Sequence, residues 1–202
     1  MAAFSPAVCH TATATTVGEL LDSFHLAAAC ADIGRYFGAF YSAESRFIGT
    51  DAAENWTVAE FYAYSKPHFD AGKAWTYTPR PASRKVTELK CGGGGGDASV
   101  SRIATFDELL DSEAFVATTR GTGTAVFDGK YWFLLAFHLS FPTPNDIAEQ
   151  VLNKIVVHEK KVAAMSAAAK ADEAAAALLA ELELEETGTK QLQNQSKKKK
   201  GR

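Results

Sequence analysis

Phe47-Ile48-Gly49-Thr50-Asp51-Ala52, followed by Glu54 and Trp56, is the stretch on which the reading of this chain turns. Phe47-Ile48-Gly49 makes a short strand, and Thr50 to Ala53 make its turn, because Asp and Thr side chains bond their own backbone in such positions. Two amphipathic helices precede it. In the first, Leu20, Leu21, Phe24, Ala27 and Ala28 recur at helical spacing after an N-cap at Thr15 or Thr16. In the second, Ile33, Tyr36, Phe37 and Phe40 form the buried stripe after Asp32. A third helix follows at Thr57, with Glu60 three residues on completing a capping box. Phe61, Tyr64 and Phe69 are expected to face inward, and Gly72 to end the helix.

Beyond Gly72 the pattern changes from helical to alternating. Trp75-Thr76-Tyr77-Thr78 reads as a strand broken by Pro79 and Pro81. Gly92 to Gly96 reads as an enlarged hairpin loop, since it has no side chains to pack. It lacks the Lys-Ser/Thr pair and following helix of a phosphate loop. Further strands are expected near 100–108, 114–127 and 131–141, the last two joined by Asp128-Gly129, a two-residue hairpin signal. Strict alternation along the last strand puts Tyr131, Phe133, Leu135, Phe137, Leu139 and Phe141 on one face, and Trp132, Leu134, Ala136, His138 and Ser140 on the other. Both faces are largely apolar, so the strand is expected to be central and covered on both sides. Pro142-Thr143-Pro144-Asn145 ends the sheet. Asn145 is placed to cap a final helix with Ile147, Val151, Leu152, Ile155 and Val156 as its stripe.

Composition sets the outer limits. The chain has 202 residues, 47% of them hydrophobic, with 13 Phe, 6 Tyr and 3 Trp, which supports one packed core plus an appendage. A net charge of −3 gives the whole chain no electrostatic case for nucleic acid or membrane. The Lys197–Lys200 cluster is the local exception, as a nucleic-acid tether, a nuclear-import signal or a solvated end. Cys9, Cys30 and Cys91 are odd in number and without metal-ligand spacing, which fits a reducing, intracellular compartment, the cytoplasm first. Cys30 is expected in the core. No apolar run is long enough to span a bilayer.

The residues carry a resemblance. Phe47-Ile48-Gly49-Thr50-Asp51 with Glu54 and Trp56, Phe106-Asp107-Glu108-Leu109, Arg120-Gly121-Thr122-Gly123, and His138-Leu139-Ser140-Phe141-Pro142 with Pro144-Asn145-Asp146 resemble the SnoaL-like branch of the nuclear-transport-factor-2-like superfamily. The resemblance covers roughly residues 17–157 and implies an α+β cone, a curved antiparallel sheet wrapped on three N-terminal helices, here with a long C-terminal helix. The superfamily includes ketosteroid isomerase, cyclases, dehydratases and plain interaction modules, so the fold does not select the function. In the isomerase-like members the base is a carboxylate on the strand after helix 2, a place where this chain has Phe47-Ile48-Gly49 and no acid. The organisation expected is a disordered leader over 1–16, the domain over 17–157, an Ala-rich helical extension over 158–186 and a disordered Lys-rich tail over 187–202.

Two sets of residues are candidates for function. Asp107, Arg120 and His138 are each placed by period two on a strand face that is expected to be concave. There His138 and Asp107 would exchange protons and Arg120 would hold an anionic group. The competing reading is a self-satisfied buried ion pair. Asp51, Trp56, Tyr77 and Trp132 are the candidate ligand-binding residues, with Trp56 and Tyr77 at the pocket mouth. Against this, Asp51 would serve as an Asx-turn residue and Trp56 as core. His25, His68 and His158 lack metal-ligand neighbours and are expected at the surface or in packing. The expected function is binding of a small, mostly apolar or anionic molecule, with metal-independent, cofactor-free isomerase- or lyase-type chemistry. The alternative is a non-catalytic module that homodimerises through the sheet.

Overall fold

The computed structural model describes residues 13–72, 74–90, 102–112, 115 and 117–200. The glycine run at 92–96 and residues 1–12 of the leader lie outside these. The elements are α1 (Val17–Ala29), α2 (Ile33–Gly38), β1 (Arg46–Ile48), β2 (Asn55–Thr57), α3 (Val58–Asp70), β3 (Tyr77–Pro79), β4 (Lys85–Lys90), β5 (Arg102–Ser112), β6 (Thr119–Phe127), β7 (Trp132–Ser140) and α4 (Ala148–Lys200).

Each early helix starts where a short polar side chain satisfies a free N–H. Thr16 Oγ1 accepts from Glu19 N at 3.1 Å, and Asp32 Oδ1 accepts from Arg35 N at 3.0 Å. At Thr57 the capping box is complete. The expected apolar faces are buried: Leu20, Leu21, Phe24, Ala27 and Ala28 in α1, and Phe61 and Phe69 in α3. Tyr64 is the exception, half exposed, because the helix turns it to the rim of the sheet. Cys30 also departs from expectation: it is the exposed C-cap of α1.

The sheet runs β2-β1-β7-β6-β5-β3, with β4 beside β3 on the same edge of β5. All pairs are antiparallel except β1 with β7, so the expected antiparallel sheet is mixed at one joint. Pro79 does not break β3: it ends an edge strand, where a missing N–H costs no ladder bond. Strand β4, Lys-Val-Thr-Glu-Leu-Lys, is exposed throughout and carries little hydrophobic signal, so sequence pattern passes over it. The three helices cover one face, where Phe24, Phe40, Phe61, Phe106, Phe137 and Trp132 are all nearly inaccessible to solvent. A small cluster of Val126 and Phe133 with Tyr41, Ile103 and Tyr131 lies on the opposite face.

Strand β7 departs from strict alternation. Thr124 pairs with Ala136 but Ala125 pairs with Leu134, leaving Leu135 as an extra, outward residue. The bulge reverses the facing of everything after it. Trp132 and Leu134 point to the core before it, and Phe137 and Leu139 point there after it. His138 therefore does not share a face with Trp132.

The chain divides after Pro142. In the second unit α4 is one continuous helix through Lys200, not an extension followed by a disordered tail. Ala, Lys, Glu and Gln have high helix propensity, and the stretch after Thr189 has no glycine before 201 to stop it. The leader's last residues are structured, since Trp132 N donates to Ala14 O at 3.0 Å and Ala14 is buried.

Candidate functional site

The first candidate constellation comes together, but on the wrong face for a pocket. Asp107 pairs with Thr122 and Thr122 with His138, so these form one cross-strand row. Arg120 Nε lies 3.4 Å from Asp107 Oδ2, with the two side chains 45% and 43% exposed. The row shares the phase of Ile103 and Thr105, which is opposite to the helix-covered phase of Ala104, Phe106, Glu108 and Leu110. Asp107, Arg120 and His138 thus face away from the helices, and the expectation that they line the concave face is corrected. Two causes combine: the bulge at Leu135 moves His138, and β5 buries the phase of Glu108 rather than that of Asp107.

That phase holds the surprise. Glu108 has no solvent exposure, yet both its oxygens are paired. Oε1 lies 2.6 Å from His25 Nε2, and Oε2 accepts from Arg84 Nε at 2.8 Å. Arg84 also donates from Nη1 to Gly18 O at 3.1 Å and places Nη2 2.8 Å from Asp22 Oδ1. Burial opposes the charge on Arg84, but the Asp22 and Glu108 carboxylates outweigh it and hold the guanidinium above its usual range. The network ties α1 to β5 and to the loop before β4. A carboxylate in an otherwise apolar strand phase (Ala104, Phe106, Leu110) is the signal that would have found Glu108; nothing local distinguishes His25.

An aromatic-lined hollow lies between α3, the β1–β2 hairpin and β3. Its volume is about 100 Å³. Phe47, Phe61 and Leu139 form its floor; Tyr36 and Tyr77 bring phenols to it; Trp56, Tyr64 and Trp75 form the more accessible side; Phe115 also lines it. Glu54 is the one charged residue among those lining it. Where rings touch, Phe47, Trp56, Phe61, Tyr64 and Trp75 meet at interplanar angles of 9–24°. Behind Tyr77 stands His25, their ring centroids 6.4 Å apart, so the buried network backs the pocket wall.

Glu54 is set in place by the opening hexapeptide. Asp51 N donates to its Oε2 at 3.1 Å, and Gly49 N donates to its backbone O at 2.8 Å. The carboxylate fills the space a side chain at 49 would take: a Cβ on Gly49 would overlap Glu54 Oε2. Glycine at 49 is therefore required by the close approach of Glu54. Burial, and secondarily the Glu54 charge, raise the Tyr77 hydroxyl far above the ordinary phenol range. Burial, then Tyr77, does the same to Tyr36. Both phenols stay protonated and able to donate.

Of the other expected ligand residues, Trp56 and Tyr77 line the hollow. Asp51 does not: its Oδ1 accepts from Ala53 N at 2.8 Å in an exposed Asx turn. Trp132 does not either. It is buried against Phe127 and Arg102 at the start of β7, while Leu139 reaches the hollow roughly 20 Å further along the strand. Among the described residues no three His, Cys, Asp or Glu side chains are grouped as metal ligands. Among the described residues no helix is long and apolar enough to cross a membrane.

A family model described as a SnoaL-like domain matches residues 17–144. No curated protein matches the sequence. Similar solved structures include a protein of unknown function of the DUF3225 family from Pectobacterium atrosepticum, at 17% identity and TM-score 0.46, covering 63% of this chain and 88% of that one. Another is an NTF2-like protein of unknown function from Pseudomonas putida, at 13% identity and TM-score 0.44, covering 64% of this chain and 86% of that one. With the family model spanning most of the first unit, the chain belongs to the SnoaL-like domain family.

Proposed function

We propose that the SnoaL-like unit binds a small, mostly apolar molecule in the hollow beside Glu54, and that Glu54 is its proton acceptor. The observation that carries this is the convergence of one carboxylate and two protonated phenols in an otherwise aromatic cavity. Apolar walls with a few placed polar groups are the usual make-up of a ligand site. A carboxylate within reach of a C–H or O–H acts as base, and phenol donors stabilise an oxyanion that forms beside it. That is isomerase-, cyclase- or dehydratase-type chemistry, needing no group the lining residues lack. The role moves from His138, Asp107 and Arg120 to Glu54, Tyr36 and Tyr77.

The size of the hollow restricts the reading. The cone interior is largely filled by Phe24, Phe106 and Phe137, so about 100 Å³ remains where a drug-sized ligand takes roughly 300–1,000 Å³. The reacting part of the ligand is therefore a small ring or head group. The test is deuterium exchange into 2-cyclohexenone in D2O, followed by proton NMR. Exchange catalysed by the wild type and lost in Glu54→Gln supports the reading; equal rates in both variants, or none above buffer, overturn it.

A second reading is an interaction module that homodimerises through the outer face of the sheet. It is favoured by the filled cone and by exposed Leu89 and Leu135 on or beside that face. Sedimentation equilibrium at tens of micromolar tests it, a monomer being the adverse result.

A further inference from the structure

We propose that the first three heptads of α4, Ala148 to Ala168, pair with the same segment of a second copy as a parallel two-stranded coiled coil. This contact depends neither on the hollow nor on the outer face of the sheet.

The repeat is the first argument. Counting heptads from Ala148 puts Ala148, Ile155 and Val162 at position a, and Val151, His158 and Met165 at position d. Apolar residues spaced alternately three and four apart make the seam of a left-handed coiled coil. Ile155, Val162 and Met165 are 46%, 50% and 63% exposed, and Leu152, which flanks the seam at e, is 60% exposed. A helix with such a stripe is built to bury it against another element. Val156 and Val157 fall at b and c and take no part in the contact. The β-branched side chains of Ile155 and Val162 at a favour two strands over three or four.

Charge is the second, and it selects both the occupant and its direction. Lys154 and Lys161 stand at g, and Glu159 stands at e. Neither Lys154 nor Glu159 has an opposite charge three or four residues away on its own helix. In a parallel pair a g residue meets the e residue of the next heptad across the seam. Lys154 then meets Glu159 of the second copy, and the twofold relation makes this contact twice. Antiparallel helices would set g against g and e against e, bringing lysine to lysine and glutamate to glutamate.

The third is a register device. His158 is the one polar residue at a or d within these three heptads. A single polar seam residue meets its own copy only when the chains are aligned, so it fixes register at some cost in stability. The next d position is Asp172, where alignment would press two carboxylates together; the seam ends before it.

The test is sedimentation equilibrium of the full chain and its variants at tens of micromolar and low ionic strength. The wild type is expected to be a dimer, and Ile155→Asp/Val162→Asp a monomer. Leu135→Asp, on the outer sheet face, should leave the dimer in place. Lys154→Glu and Glu159→Lys, both at exposed positions, should each raise the dissociation constant about tenfold, since two attractive pairs become two repulsive ones. An equimolar mixture of these two variants should regain wild-type affinity, because every g–e contact in the mixed dimer joins opposite charges. A wild-type monomer, a dimer that survives Ile155→Asp/Val162→Asp, or one lost in Leu135→Asp overturns the proposal. If the double variant does not unfold cooperatively, the charge exchanges decide: single variants that bind as tightly as the wild type, or a mixture that fails to recover, overturn it.

Discussion

Glu108 and Glu54 are both carboxylates on the helix-covered side of one sheet, and they are held in opposite ways. Glu108 has no exposure, and each oxygen is taken, by His25 and by Arg84. Glu54 is half-buried, receives one backbone N–H at its Oε2, and borders a cavity. A buried charge persists only if its oxygens are paired, and a sealed, paired carboxylate presents no oxygen to a substrate. A charge at a cavity edge keeps its chemistry because its solvation is only partly replaced. The fully paired acid is structural, and the partly satisfied one is the acid on which the proposed function rests.

Removing the partner-saturated acid should give the largest effect. Glu108→Ala leaves His25 and Arg84 buried against a void, and should cost about 3–5 kcal/mol in urea unfolding. A triple replacement of Glu108, His25 and Arg84 by Leu, Leu and Met should recover most of the loss. If Glu108→Ala costs under about 1 kcal/mol, the contrast between the two acids collapses.

Gly49→Ala comes next, since its Cβ would overlap Glu54 Oε2 and meet the Glu54 Cβ. Overpacking costs about 1–3 kcal/mol, and here it should also displace the carboxylate, so thermal unfolding and pocket binding should change together. Unchanged binding in a destabilised Gly49→Ala would separate Glu54 from the site.

Glu54→Gln should hardly move stability, within about 0.5 kcal/mol by denaturant unfolding, because the amide oxygen can still accept from Asp51 N. His138→Gln should likewise leave the fold and pocket binding unchanged, since His138 faces away from the helices.

The smallest effect at neutral pH is an alkaline one. Tyr36 and Tyr77 have folded pKa values raised above the unfolded phenol value of about 10. Raised acids of this kind stabilise fully below the unfolded pKa, and that stability is lost as pH rises from there through the folded values. Melting temperature should therefore fall above about pH 10. Tyr36→Phe and Tyr77→Phe should each make the fall shallower, and absorbance at alkaline pH should show both tyrosines ionising only on unfolding. Ionisation of all six tyrosines near pH 10 in the folded protein would refute it.

Local rules made much of the framework legible. Thr16, Asp32 and Thr57 start their helices through bonds three residues long, and Asp128 Oδ1 accepts from Lys130 N and Tyr131 N while Gly129 takes φ +103°. Such bonds depend on neighbours already close in the chain, so residue types at fixed offsets suffice to place them. Trp56 and Tyr77 were legible as pocket aromatics for a similar reason, sitting next to element ends that face the mouth.

The facing of the strands and the pairing of the charges were decided only by the assembled structure. Nothing in Trp132–Ser140 announces that Leu135 is extra; the bulge exists because β6 and β7 must each bury Ala125, Leu134 and Phe137 against the same helices. Glu108 meets a histidine 83 residues away and an arginine 24 away, and Glu54 stands over Gly49 because a turn folds it back. The chain's own order determined which elements form and in what sequence. Which carboxylate is sealed and which is left at a cavity edge was set by long-range register, where a shift of one residue exchanges the two faces of a strand.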